Sequence, residues 1–372
     1  MNMKRIAFIR KAYDPFGGAE NYIESLIGSL KGYEIHMLSS KWKDNPRITH
    51  HRVDASALSS AWSAMKFNRG AATIIRQIVP DCTVSFERTT CQDIYRAGDG
   101  CHRQWLRIRR LVAGRLKGLS VHFNMLHRTL LSIEKDLFAN TPVIIANSNM
   151  VKANIIEHYG VKEDRVHVLY NGVDLSRFNS QGRPALAGEF RREFGVRGDT
   201  AVVLFAGSGF ERKGLPTLIT ALAGVKSPVV LYVAGRGRTR KYEALSSRLG
   251  VRDKVVFAGA RRDIERFYAA ADVFVLPTLY DPFSNAVLEA MAAGCAVITT
   301  RNNGAAEIIE DGRDGTILED LANPDELSGK IDKAIQKSGE FGPLAAQKAM
   351  AFSIERAAGE FTLLIENYCL NK

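Results

Sequence analysis

"LPTLYDPFSNAVLEAMAAGCAVITT", residues 276–300, decides the fold. An apolar strand ends at Leu276-Pro277, a loop carries Asp281, a helix begins near Ser284-Asn285, and a new apolar strand starts at Ala296. Strand, loop, helix and strand in that order form the unit of a parallel sheet, because parallel neighbours need a crossover connection. The first amides of a helix have no partner within it, so those of Asn285, Ala286 and Val287 make an anion seat that the helix dipole strengthens. Asp281 ahead of the helix and Glu289 within it are spaced to bond hydroxyls on either side of a seated phosphate. Asp281 taken alone also suits a helix cap.

The same alternation runs through the whole chain. Short apolar runs rich in Val and Ile fall at 6–9, 35–38, 83–86, 143–146 and 166–169, then at 202–206, 229–234, 255–257, 273–276 and 296–299. Each leads into a loop and an amphipathic stretch. Near-continuous apolar strands between helices predict parallel sheets covered on both faces. Five strands in each half predict two doubly wound α/β domains. The first spans 1–175 and the second 176–352, with the join inside "YNGVDLSRFNSQGRPALAGEF" (170–190), where Asn-Gly and Gly-Arg-Pro interrupt regular structure. Residues 353–372 form a last helix, with Phe361, Leu364, Ile365 and Tyr368 on one face, that caps the second domain or crosses back to the first. Ligands of open parallel sheets sit outside the carboxyl ends of the strands, so two facing sheets would collect their loops in a cleft.

Composition supports this reading. A chain of 372 residues is long for one α/β domain, and 46% apolar with 24% charged residues describes a globular protein. No apolar run approaches the roughly 20 residues of a membrane span. The first apolar run lacks a small-residue cleavage site and fits a buried strand better than a signal peptide, which predicts a cytoplasmic protein. The five cysteines form no C-x-x-C pair, so neither a zinc site nor a disulfide framework is expected. Net charge is uneven. Residues 1–170 hold 25 Lys and Arg against 15 Asp and Glu, whereas residues 171–372 hold 26 against 25. One basic half predicts one domain that meets an anionic partner.

Three further segments carry chemistry. "LFAGSGFERKGLPTLITAL" (204–222) is a strand, a glycine loop with Arg212 and Lys213, and a helix. Positive charge is unfavourable at a helix start, so the pair points to an anion, and it suits a diphosphate leaving group neutralised without a metal. "RKAYDPFGGAENYIESL" (10–26) places Gly17-Gly18 between a strand and a helix, without the G-x-G-x-x-G of a dinucleotide site or the G-K-[ST] of a P-loop. Glycines there permit close backbone approach to a ligand, with Asp14 on the same loop. "FAGARRDIERFYAAADVFVLP" (257–277) has Arg262 and Asp263 on a loop that suits either a nucleotide base or solvent.

Residues 276–300 resemble the E-x7-E motif of retaining glycosyltransferases with two facing Rossmann-like domains, the GT-B fold, and in particular the GT4 family. The family form is E-P-F-G-x-x-x-L-E-A-M-A-x-G-x-P-V; here the first acid is Asp281, and Ala296 stands in place of Pro. "RNNGAAEIIEDGRDGTIL" (301–318) is similar to the family's G-x-x-E segment followed by D-G-x-x-G, which makes Glu307 structural or near the donor and Asp311-Gly312 a turn. Gly17-Gly18 resembles the family's N-terminal G-G loop, facing the donor's phosphates or sugar. The resemblance implies that Glu289 binds the ribose hydroxyls of a sugar nucleotide and that the Asp281 loop touches the transferred sugar. Ser208 stands where the family often has Arg, so Arg212 would supply the second positive charge. The donor's diphosphate would lie on Ser284, Asn285, Ala286 and Val287, with Arg262 near the base. The match is tight over about 200–320 and loose over about 40–140, where acceptors bind in this fold.

Within the loose region, "YRAGDGCHRQWLRIRRLVAGRLKG" (95–118) places Asp99 and His102 beside a glycine turn. Many GT4 enzymes carry a His on this loop near the sugar's outer hydroxyls. Bacterial lipopolysaccharide core glucosyltransferases carry an Asp in a similar A-x-D-x-C stretch, matching Asp99 and Cys101. Asp99 is favoured as the sugar contact, and His102 also reads as an ordinary partly buried histidine. Arg103, Arg107, Arg109, Arg110, Arg115 and Lys117 follow without an acid, interleaved with Trp105, Leu106, Ile108, Leu111, Val112 and Leu116. Such a helix suits an anionic membrane face or a phosphorylated glycolipid, or else solvent.

The expectation is therefore a metal-independent retaining glycosyltransferase. It would move a hexose, with glucose foremost, from a UDP-sugar to an anionic glycan or glycolipid of the lipopolysaccharide core type, in peripheral contact with the inner membrane and with no cofactor. Asp99, Arg212, Lys213 and Asp281 would carry the catalytic work. Asp14, His102, Arg103, Arg107 and Arg110 would face the acceptor. Competing readings are a sugar-nucleotide epimerase or phosphorylase on the same fold, the latter lacking its cofactor-lysine segment here, and a nucleic-acid-binding protein, for which no recognition helix or stacking strand is evident.

Overall fold

In the computed structural model, which describes residues 3–13, 18–319 and 323–371, the chain divides into two compact units. One comprises Met1–Tyr170 with Glu355–Lys372, the other Asn171–Ile354.

The first unit is built on β1 (Arg5–Ile9), β2 (Glu34–Ser39), β3 (Ile48–Arg52), β4 (Cys82–Ser85), β5 (Ile94–Arg96), β6 (Val143–Ala146) and β7 (Val166–Val168), in spatial order β3-β2-β1-β4-β5-β6-β7. Its helices are α1 (Gly18–Ser29), α2 (Ser60–Ile78), α3 (His102–Phe123), α4 (Met125–Asn140) and α5 (Asn149–Tyr159). The second unit holds β8 (Ala201–Ala206), β9 (Val229–Ala234), β10 (Val255–Gly259), β11 (Val273–Leu276), β12 (Ala296–Thr300) and β13 (Thr316–Leu318), in order β10-β9-β8-β11-β12-β13. Its helices are α6 (Arg183–Glu193), α7 (Leu215–Ala221), α8 (Arg240–Arg248), α9 (Ile264–Ala270), α10 (Asn285–Ala292), α11 (Pro324–Gln336) and α12 (Ser338–Ala349), and α13 (Ile354–Asn371) ends the chain.

The named strands pair in parallel throughout, as the apolar runs require: Ile6 to Ile9 and Val273 to Leu276 are wholly buried. The strand count departs from five and five. Seven and six are observed, because β3, β5 and β13 lack the apolar run that marks the others. β3 reads ITHHR and is half exposed at a sheet edge, and β5 and β13 are three residues each.

Two packed layers hold the first sheet. Ala7, Ile9 and Leu38 meet Phe67 and Ala71 of α2, and Tyr95, Ile144 and Ala146 meet Leu137, Phe138 and Ile155 of α4 and α5. The last helix lies on the same unit. Phe361 stacks on Tyr22 at 6.1 Å, the Tyr22 hydroxyl donates to the Ala357 carbonyl at 3.0 Å, and the Arg96 guanidinium sits 4.3 Å over the Tyr22 ring. No helix among the described residues is long and apolar enough to cross a membrane.

In each sheet the strand order reverses once, between β1 and β4 and between β8 and β11. Chain connections diverge to opposite sides at such a point and leave a crevice at the strands' carboxyl ends. The loops that follow β8 and β11 contain the two motifs with the most chemistry.

Candidate functional site

The loop after β8 is shaped by glycine. Gly207 has φ +137, and a Cβ there would stand 2.8 Å from Lys213 Cδ and 2.9 Å from its Nζ, so the missing side chain is the channel along which Lys213 runs. Gly214 has φ +78, and a Cβ on it would come within 1.9 Å of the Pro277 carbonyl oxygen. The loop is thereby pressed onto the one after β11. The Arg212 carbonyl accepts from Leu279 N at 2.8 Å and from Thr278 Oγ1 at 3.0 Å, and the Arg212 guanidinium donates to the Tyr280 carbonyl at 2.7 Å. Both cations then meet the same carboxylate oxygen: Arg212 NH1 and Lys213 Nζ each lie 3.3 Å from Asp281 Oδ2. Asp281 is not the helix cap that its position also suggested.

A buried asparagine fixes the approach to α10. The Asn303 side chain accepts from Ser284 N and Ala305 N, both at 3.1 Å, and donates to Thr299 Oγ1 at 2.9 Å. Asp281 N donates to the Asn302 carbonyl and Gly304 N to the Asp281 carbonyl, each at 2.9 Å. Ser284 is the N-cap, yet its side chain makes no capping bond, and its Oγ is buried without a hydrogen-bond partner. One part of the expected anion seat is corrected. Val287 N donates to the Ser284 carbonyl at 3.2 Å, the tighter turn common at helix starts, so its amide is occupied. Those of Asn285 and Ala286 have no partner among the described residues. Asn285 Oδ1 accepts from Asn171 Nδ2 at 2.6 Å, which orients the first residue of the helix.

One turn further, half-buried Glu289 receives the Tyr268 hydroxyl on Oε2 at 2.8 Å. Burial pushes the Glu289 carboxyl up, and the Tyr268 hydrogen bond with the charges of Arg177 and Lys213 pulls it back. Tyr268 meets Phe178 edge-on at 5.5 Å, and Arg177 lies 5.0 Å over the Phe178 ring. The Arg262 carbonyl accepts from Arg177 at 2.7 Å and its side chain is exposed. Asp263 is held by both arms of Arg261, at 2.9 and 2.7 Å, rather than offered to a base. Glu307 is exposed, and Asp311 takes the Ile317 amide at 2.8 Å in a turn with Gly312 at φ +79.

In the first unit, Asp14 and Gly17 lie outside the described residues, and Gly18 is the first residue of α1. Arg10, at the end of β1, pairs with the buried Glu20 at 2.9 Å. Asp99 is exposed, 3.5 Å from Arg88. The wholly buried Glu134 accepts from Arg88 Nε at 3.1 Å, His102 N at 2.8 Å and the Tyr159 hydroxyl at 2.5 Å, and so caps α3 from a neighbouring helix. His102 is buried, with Nε2 3.2 Å from His127 Nδ1, and Arg109 reaches His127 Nε2 at 3.3 Å. Because Arg109 can only donate, His127 carries its proton on Nδ1 and gives it to His102. Burial, with Arg88 and His127 alongside, pushes His102 down to about 3. Arg103 donates to the His158 carbonyl at 3.0 Å, Arg107 pairs with Glu157 at 2.7 Å, and Arg110 is exposed. Leu106 and Ile108 face inward, while Leu111 and Val112 are 78% and 58% exposed.

Tyr268, Asn303 and Glu134 escaped sequence reading. None stands in a spacing that suggests chemistry, and each matters through a partner about 20 or more positions away: 21 for Tyr268, 19 for Asn303 to Ser284, and 32 for Glu134 to His102. Among the described residues no group of three or more His, Cys, Asp or Glu is placed to hold a metal.

The family profile for Glycosyl transferases group 1 matches residues 187–350, and that for Glycosyltransferase Family 4 matches residues 16–177. The chain is 26% identical over 341 residues to the lipopolysaccharide glucosyltransferase WaaG of Escherichia coli (strain K12), covering 90% of each. A solved structure of WaaG, a glycosyltransferase involved in lipopolysaccharide biosynthesis, superposes with a TM-score of 0.84 at 24% identity, covering 97% of this chain and 99% of that one. The Anabaena protein Alr3699/HepE, solved in complex with UDP-glucose, superposes with a TM-score of 0.74 at 19% identity, covering 98% and 99%.

Proposed function

Since the chain belongs to the two-domain GT-B glycosyltransferases that these profiles describe, and is related to lipopolysaccharide core glucosyltransferases, we propose that it moves a hexose, glucose foremost, from a UDP-sugar to an anionic glycan or glycolipid with retention of configuration. The observation that carries the donor half of this reading is the convergence of Arg212, Lys213, the first amides of α10 and the unpartnered Ser284 hydroxyl at the reversal point of one sheet.

The chemistry follows from what each group can do. The amides of Asn285 and Ala286 and the Ser284 hydroxyl donate to the diphosphate, at the positive end of a helix. Arg212 and Lys213 neutralise the charge that grows on the leaving oxygen as the sugar bond breaks, so no metal is needed. Glu289, oriented by Tyr268, accepts from the ribose hydroxyls. No side chain is assigned as nucleophile; the acceptor attacks from the face that the diphosphate leaves, and a phosphate oxygen takes its proton. In the first unit, Asp99 serves the sugar and the Gly17-Gly18 loop the donor's phosphates. Asp14, His102 and the arginines of α3 serve the acceptor at the cytoplasmic face of an anionic membrane.

A ligand that binds only the folded chain raises its melting temperature, so UDP and UDP-glucose should stabilise it more than the GDP and ADP pairs. A larger shift with GDP or ADP compounds overturns the donor assignment.

A further inference from the structure

We infer that Asp281 is the counter-charge of the donor site: it keeps Arg212 and Lys213 together for the incoming diphosphate and at the same time weakens the hold on the diphosphate that is released. This rests on the donor reading above and goes beyond the sugar contact that the family resemblance implies for the Asp281 loop.

Two like charges at adjacent positions repel, and here one oxygen, Asp281 Oδ2, lies 3.3 Å from each. The carboxylate cannot drift away from them. Asp281 N and its carbonyl are both bonded, to the Asn302 carbonyl and Gly304 N, and the Asp281 side chain is 10% exposed. Lys213 is confined on its other side by the Gly207 backbone, and its side chain is 12% exposed. Arg212 is tied to the Tyr280 carbonyl as well. The three groups therefore form a rigid triad whose net charge is that of one cation, not two.

The consequence is asymmetric. Before transfer the diphosphate is esterified at both ends. After transfer its terminal phosphate has one more ionisable oxygen, with an ionisation near pH ~6. A fixed negative charge therefore opposes the product more than the donor. Removing that charge while keeping the shape should tighten the product most.

The test is calorimetric titration of the unaltered chain, Asp281→Asn and Asp281→Glu with uridine, UMP, UDP and UDP-glucose. Asn keeps an acceptor oxygen for both cations and removes only the charge. Asp281→Asn is expected to bind UDP about tenfold more tightly, an estimate from the charge separation in a partly screened site, UDP-glucose by a smaller factor and uridine unchanged. Asp281→Glu, which keeps the negative charge, is expected to show no such gain in UDP binding. Weaker or unchanged UDP binding by Asp281→Asn overturns the inference, and so does a matching change for uridine. If the unaltered chain binds no UDP, the donor reading falls and takes the inference with it. If it binds UDP and Asp281→Asn gains nothing, only the inference falls.

Discussion

The Tyr268 hydroxyl reaches Glu289 Oε2 at 2.8 Å from the end of a different crossover helix, α9 rather than α10. A buried phenol thus orients the carboxylate assigned to the ribose. Glu289→Ala should abolish the thermal shift given by UDP. Tyr268→Phe should keep the fold and weaken UDP binding by about tenfold, the scale of a lost hydrogen bond to a charged group. It should also change the pH profile. Burial holds the Glu289 carboxyl up and Tyr268 opposes that, so without the hydroxyl the acidic loss of binding moves to higher pH. Titrations across the acidic range compare the two midpoints, and coincident midpoints would detach Tyr268 from the site.

Lys213→Ala should lower kcat by roughly 100- to 1,000-fold, the range for losing one preorganised group at a developing charge, with a smaller change in KM. Gly207→Ala should reproduce part of that loss, since its Cβ would stand 2.8 Å from Lys213 Cδ and displace the amine without removing it. Steady-state rates for both variants separate the amine's charge from its placement.

His102 makes stability depend on pH. In the folded chain it is pushed down to about 3 from an ordinary 6.5, so the unfolded chain takes up its proton first as pH falls. The stabilisation is whole above about pH 6.5 and declines as pH drops towards about 3, at up to about 1.4 kcal/mol per pH unit. Urea unfolding at about pH 7 and about pH 5 should show this decline in the unaltered chain and a shallower one in His102→Gln. Equal slopes would mean that His102 takes up its proton as readily in the folded chain as in the unfolded one.

Arg103, Arg107 and Arg110 stand on α3 near the exposed Leu111 and Val112, and Arg103 and Arg107 reach His158 and Glu157 of α5. Changing all three to Glu should reduce binding to phosphatidylglycerol vesicles by about a hundredfold or more, since each basic residue near such a surface contributes about 1 kcal/mol. Co-sedimentation measures it. Undiminished binding would take α3 off the membrane face.

The second unit was legible because its chemistry is local in sequence. Asp281, Ser284 and Glu289 sit on one strand–loop–helix passage, and Arg212-Lys213 on another. Whether a group in such a passage is already engaged is decided by backbone geometry, which is why the Val287 amide was misjudged: a bond to the Ser284 carbonyl depends on how tightly the first turn winds. β3, β5 and β13 were missed for a related reason. Edge and three-residue strands exist because a neighbour supplies hydrogen bonds, and no pattern of their own declares them. Glu134 shows the strongest case. An acid in the middle of an amphipathic helix reads as a solvent contact, and only the fold brings Arg88, the start of α3 and Tyr159 to it.

The docking of Phe361 against Tyr22 and Phe86 bears on how the protein is made. A ribosome synthesises the first sheet early, yet the side chains that cover one of its aromatic faces emerge only with the last helix. The second unit can fold in the interval, while the first waits with Tyr22 and Phe86 uncovered. Chains stalled before residue 355 would therefore present a greasy patch to chaperones, and the arrival of α13, more than the collapse of either sheet, becomes the step that commits the first unit to its native state.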